Sequence, residues 1–103
     1  MLIKRSGPQY KEGNVTMNSD AMLIHKAIEF AAKKHRNQTR KGSDTPYIIH
    51  PVEVMLFLKE SGCSADVVAA GVLHDTLEDT DTTFEELKEC FGEAVAKLVA
   101  TES

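Results

Sequence analysis

The sequence predicts an all-α fold, an irregular bundle of about five helices, and three observations carry that expectation. Ile24, Ile28, Ala31 and His35 fall at i, i+4, i+7 and i+11, which is one face of an amphipathic helix, and similar patterns recur to the end of the chain. No stretch alternates apolar and polar residues with the period of a half-buried strand. No heptad is sustained, which argues for helices crossing at large angles rather than a coiled coil. At 103 residues the chain has room for one domain with a modest core.

Residues 1–18 show neither period and contain Gly7-Pro8 and Gly13-Asn14, so they read as a flexible leader, with Met17 an alternative start. The first helix begins near Ala21, with Ser19 or Asp20 as its N-cap. RNQTRKGSDTPY is a polar connection in which Gly42, Ser43, Asp44 and Pro46 supply turn chemistry. Pro51 suits the first position of a second helix, because its missing N–H has no partner there, and that helix runs to Gly62. Ser64 caps a third, ADVVAAGVLHDTLED, expected to continue to Asp79, with Ala69, Ala70 and Gly71 allowing close packing. Thr82/Glu85 and Thr83/Glu86 both have capping-box spacing for a fourth, FEELKECF, ended by Gly92. A fifth starts at Glu93 and is still helical in pattern at Thr101, so the expected architecture is truncated at its C-terminus.

Charge is divided along the chain. Residues 1–50 hold nine Lys/Arg against four Asp/Glu, a net of +5, whereas residues 51–103 hold three against twelve, a net of −9. Such an acidic half argues against binding a nucleic acid polymer. It suits a small anionic ligand bridged by a metal, the acidic half holding the cation and the basic half the phosphates. No apolar run reaches the roughly 18 residues of a membrane span, and the start has no apolar signal core. Two cysteines, Cys63 and Cys90, without an export signal point to reduced thiols and a cytoplasmic location.

The acidic half concentrates in GVLHDTLEDTDTTFEEL, residues 71–87, with one histidine and six carboxylates. His74 and Glu78 are i, i+4, as are Asp75 and Asp79, while Asp75 and Glu78 are i, i+3, so all four can crowd one helix edge. Such acceptors repel one another unless something positive joins them. Imidazole beside carboxylate is a ligand set for first-row divalent metals, and closing it needs a partner from another helix. His50, at a helix start before Pro51, is the natural candidate.

Taken together, HRNQTRKGSDTPYIIHP and GVLHDTLEDTDTTFEEL closely resemble the HD-domain hydrolases of the RelA/SpoT group, especially the small alarmone hydrolases and the metazoan SpoT homologue. The resemblance covers residues 21–103 through the ordered series HxxQxRK, PYIxHP, LHDxxED and DT. It implies an HD-domain-like bundle and hydrolysis of the 3′-pyrophosphate of ppGpp and pppGpp, giving GDP or GTP and pyrophosphate. It further implies that His50, His74 and Asp75 bind a catalytic manganese ion, and that Glu78 and Asp79 serve the attacking water and the leaving group, with Glu78 the better choice for water activation. By the same resemblance Arg40 packs on the guanine base and Lys41 meets phosphate, although the interval from Arg40 to His50 is one residue longer than in the long enzymes. His35 matches a family histidine but sits on the apolar stripe, so it is expected to support the ligands from behind rather than to ligate.

In that family an aspartate on a helix far downstream completes the metal site, and Ser103 comes before it. Residues 19–103 are therefore expected to be the N-terminal portion of an HD hydrolase domain, weakly active or inactive, binding manganese weakly. Val95, Leu98 and Val99 are expected to be uncovered and to favour self-association. Two other readings stand beside this one: an HD phosphohydrolase acting on another nucleotide, and a noncatalytic binding or regulatory module. Intact Glu78 and Asp79 argue against the module, while the missing aspartate argues for it.

Overall fold

The computed structural model describes residues 18–102, so the expected leader lies outside the described residues except for Asn18. That residue is the N-cap of α1 (Ser19–Lys34): its Oδ1 accepts from the Ala21 N–H at 2.8 Å, displacing the cap expected at Ser19 or Asp20. Asp20 in the first turn and Lys33 and Lys34 in the last complement the helix dipole.

The polar connection folds back on itself. Thr39 and Pro46 form a single antiparallel bridge, Arg40 N–H donates to the Thr45 carbonyl at 2.9 Å, and Tyr47 N–H donates to the Gln38 carbonyl at 2.8 Å. Gly42 turns the tip at φ 76°, a conformation that favours glycine.

The next helix, α2 (Ile49–Glu60), starts two residues before Pro51, which therefore occupies the third helical position rather than the first. Proline is tolerated there because the early N–H groups of a helix have no intrahelical acceptor. Gly62, at φ 82°, and the Cys63 N–H, donating to the Leu58 carbonyl at 3.1 Å, close α2 in a Schellman turn.

Ser64 Oγ caps α3 (Ala65–Leu73), in which Val68, Ala69, Ala70, Val72 and Leu73 are all buried. This helix is the centre of the bundle and packs against α1, α2 and the last helix, α6 (Glu93–Glu102). At Gly71 an added Cβ would lie 2.4 Å from Leu58 Cδ1 and 3.2 Å from Val54 Cγ1, so the missing side chain lets α2 approach closely.

The expected third helix does not run unbroken to Asp79. It turns at His74 and Asp75, and a single turn, α4 (Thr76–Asp79), follows. Side chains compete for the carbonyls at this break: His74 Nδ1 bonds the Gly71 oxygen at 2.8 Å and Thr76 Oγ1 donates to the Leu73 oxygen at 2.6 Å. Of the two capping-box candidates, Thr83 caps α5 (Phe84–Phe91), with its Oγ1 accepting from Glu86 N–H at 3.1 Å. Thr82 is instead buried, its hydroxyl paired with that of Thr80 at 2.6 Å. Gly92, at φ 91°, separates α5 from α6.

Val95 and Val99, expected to be uncovered, are buried, because α6 turns that face onto α3 while Leu98 is half-buried. The exposed apolar surface lies elsewhere. On α2 only Pro51 is buried, and Leu56 and Phe57 are 57% and 68% exposed. With Ile49, 40% exposed, they make α2 the helix with the most large apolar side chains open to solvent among the described residues, a surface of the kind that favours association. Among the described residues the architecture is all-helical and has no sheet, in agreement with the sequence expectation.

Two measurements check this packing. Leu73→Ala, which empties a fully buried position at the bundle centre, is expected to cost about 2–5 kcal/mol in denaturant unfolding. Phe57→Ser is expected to leave stability within about 0.5 kcal/mol and to reduce concentration-dependent association in sedimentation velocity; unchanged association would place the sticky surface elsewhere.

Candidate metal centre

Three side chains converge where the start of α2 meets the end of α3. His50 is the second residue of α2, His74 follows the last residue of α3, and Asp75 precedes α4. Their ligand atoms all lie within 4.8 Å of one another, and all three side chains are half-buried. The Asp75 carboxylate divides its oxygens: Oδ1 is 3.1 Å from His74 Nε2 and Oδ2 is 3.7 Å from His50 Nε2. Two imidazoles and a carboxylate form a group that can hold a divalent metal ion.

Hydrogen bonding decides which atoms face the centre. The Gly71 carbonyl can only accept, so His74 Nδ1 carries a hydrogen, and in the neutral ring Nε2 presents its lone pair. That lone pair meets a carboxylate oxygen at 3.1 Å. Two acceptors so close repel unless a proton or a cation stands between them.

Asp75 is held from the other side by Tyr47, whose hydroxyl donates to Oδ2. Burial pushes the Tyr47 hydroxyl above its ordinary pKa, and the hydrogen bond to Asp75 with the charges of Asp75 and Asp79 adds to this, so the group stays a donor at neutral pH. Its ring lies between His35, at 4.7 Å between centroids, and His50, at 5.7 Å; His50 and His74 follow at 5.9 Å. Four rings thus run from the buried end of α1 to the centre.

His35 is buried just past the end of α1 and is not one of the three converging residues. Gln38 Nε2 donates to the Asp79 carbonyl at 2.9 Å, which orients the amide so that Oε1 accepts from His35 Nδ1 at 2.9 Å. His35 Nε2 is buried and has no hydrogen-bond partner among the described residues.

Glu78 and Asp79 lie on α4 with exposed side chains, and Glu78 makes no hydrogen bond or ion pair among the described residues. Arg40 pairs with Glu53 of α2 at 3.3 Å, and Lys41 is exposed beside the hairpin tip. Gly42, Ser43 and Asp44, where the longer interval was placed, are all exposed at that tip. A groove of about 330 Å³ opens beside the centre, with His50 and His74 at its polar part and Val54, Leu58, Val67 and Leu98 among its apolar walls.

Tyr47 and Gln38 are the contributors that sequence reasoning left without a role. Both stand inside the motifs HxxQxRK and PYIxHP, and the available signal was a tyrosine three residues before His50 in an otherwise polar loop. No helix among the described residues is long and apolar enough to cross a membrane.

Comparison with known proteins gives a consistent result. A family model described as HD domain matches residues 27–102. The chain is 59% identical over 76 residues to a guanosine-3′,5′-bis(diphosphate) 3′-pyrophosphohydrolase of Aquifex aeolicus, covering 74% of this chain and 11% of that protein. It is 49% identical over 85 residues to the guanosine-3′,5′-bis(diphosphate) 3′-pyrophosphohydrolase MESH1 of Danio rerio, covering 80% of this chain and 47% of the relative. The solved structure of a metazoan orthologue of SpoT, described as hydrolysing ppGpp and playing a role in starvation responses, superposes with a TM-score of 0.76 at 36% identity, over 86% of this chain and 51% of that one. The chain thus spans about half the length of its smaller relatives and about a tenth of the Aquifex protein. With the family match running over most of its length and the helical fold shared with that orthologue, the chain belongs to the HD domain family and is related to the SpoT and MESH1 ppGpp hydrolases.

Proposed function

We propose that this chain carries part of a manganese-dependent 3′-pyrophosphohydrolase site for guanosine alarmones, ppGpp and pppGpp, with residues 19–103 forming a portion of an HD hydrolase domain. The observation that carries the reading is the convergence of His50, His74 and Asp75, with His74 Nε2 and Asp75 Oδ1 3.1 Å apart and both acceptors when the ring is neutral, because Nδ1 gives its hydrogen to Gly71. A divalent cation resolves that conflict, and His50 supplies a third donor within reach. His50, His74 and Asp75 would hold the ion. When bound, such an ion lowers the pKa of water toward neutrality and shields phosphate charge.

The remaining work falls to the chain's own carboxylates. Water must lose a proton as it attacks the phosphorus attached to the ribose 3′ oxygen, and that oxygen must gain one as the P–O bond breaks, because an alkoxide is a poor leaving group. We assign the proton from water to Glu78, exposed and without a partner among the described residues, and the leaving group to Asp79, whose backbone carbonyl Gln38 anchors. Two neighbouring carboxylates can divide base and acid duties between them. Arg40 offers a planar cation for the guanine once its exposed ion pair with Glu53 opens, a cost of about 0–1 kcal/mol. Lys41 offers a point charge to phosphate.

The experiment is a manganese titration of the chain by calorimetry beside a pyrophosphate-release assay on ppGpp. Manganese is expected to bind weakly, and binding should be lost in His74→Ala. Any turnover of ppGpp should fall roughly 10²–10⁴-fold in Glu78→Ala, as for loss of a general base. Retained turnover in that variant would remove Glu78 from its role, and a clear preference for GTP or a cyclic dinucleotide over ppGpp would move the reading to another nucleotide.

A further inference from the structure

We propose that Tyr47 is a positioning residue for the metal centre, its hydroxyl fixing the rotation of the Asp75 carboxylate while its ring and backbone fix His50. This rests on the metal-binding reading of the same centre. A carboxylate between two imidazoles can rotate about its last bond and offer either oxygen to either ring. Here the Tyr47 hydroxyl claims Oδ2, which leaves Oδ1 facing His74 Nε2. The same residue reaches His50 twice: the Tyr47 carbonyl accepts from the His50 N–H at 2.9 Å, and the two rings lie 5.7 Å apart. One side chain therefore touches both α2, which brings the first imidazole, and the turn that brings the carboxylate.

Tyr47 is itself held from behind. Its N–H donates to the Gln38 carbonyl at 2.8 Å, and its ring lies 4.7 Å from the buried ring of His35. Gln38 ties His35 to the Asp79 backbone, so His35, Gln38 and Tyr47 form one clip from the end of α1 across to α4. An outer partner of this kind orients a ligand and tunes its basicity without touching the metal.

The test uses Tyr47→Phe, which keeps the ring against His35 and His50 and removes only the hydroxyl. Manganese affinity of the chain should fall roughly 10–100-fold, the usual loss when an outer partner of a ligand is removed, with the melting midpoint of the metal-free protein unmoved. Unchanged affinity would overturn the proposal, and so would a parallel loss of affinity and fold, the signature of a merely structural tyrosine. A second measurement needs no metal: a slowly exchanging tyrosine hydroxyl proton should appear in the NMR spectrum of the metal-free protein and vanish in both Tyr47→Phe and Asp75→Ala. Its absence from the parent chain would overturn the contact. If His74→Ala leaves manganese affinity unchanged, the metal reading alone fails, and the hydroxyl resonance still decides whether Tyr47 holds Asp75.

Discussion

The bond from His74 Nδ1 to the Gly71 carbonyl sets the terms for everything at the end of α3. It takes an oxygen that a continuing helix would offer to a backbone N–H, and with the Thr76 hydroxyl on the Leu73 carbonyl it marks the place where α3 gives way to α4. The same bond fixes the tautomer and turns Nε2 toward Asp75. Local structure and site chemistry are therefore two results of one contact. Had α3 run on as a regular helix, Glu78 and Asp79 would continue its axis; after the turn they sit on a separate short element that Gln38 ties to the loop.

Packing around α3 explains how residues from distant parts of the chain meet there. Ala27 and Ala31 of α1, Ala69 and Ala70 of α3, and Ala96 of α6 are all in the core, and small side chains let helix axes come close without needing a large hydrophobic volume. Gly71 extends this to α2, whose Leu58 occupies the space a side chain would need. Close approach of α2 brings His50 within reach of His74. Among the described residues α2 packs mainly on α3, and its Leu56 and Phe57 are exposed.

Much of the fold was legible because helix starts are local events. Ser64 and Thr83 each cap a helix through an oxygen meeting an N–H three residues on, so the sequence holds both partners in one short window. The break at His74 was not legible, since periodicity does not register a side chain outcompeting the backbone for a carbonyl. Burial of Val95 and Val99 was missed for a different reason: whether α6 folds onto α3 depends on the turn at Gly92, not on the pattern of α6 itself. At the centre, His50, His74 and Asp75 were singled out by residue type and spacing, and the fold brings them together. Tyr47 was passed over because its value comes from a hairpin that closes through backbone bonds between Gln38 and Tyr47, and a linear reading sees only a polar loop there.

The acidic stretch from Asp75 to Glu86 has a kinetic consequence. Among the described residues the cation paired with it is Lys34, which bridges Asp81 and Glu86 at 3.1 and 3.2 Å, away from the three converging residues. Asp75 at the centre and Glu78 and Asp79 on the turn after it place three carboxylates in five residues, and a field of that sign slows the approach of an anion. A small cation is drawn in by the same field. Under the proposed function arrival would be ordered: the ion would come first and convert a repelling surface into an attracting one, and the nucleotide would follow, so that the encounter rate for the anion would depend on cation occupancy and on ionic strength.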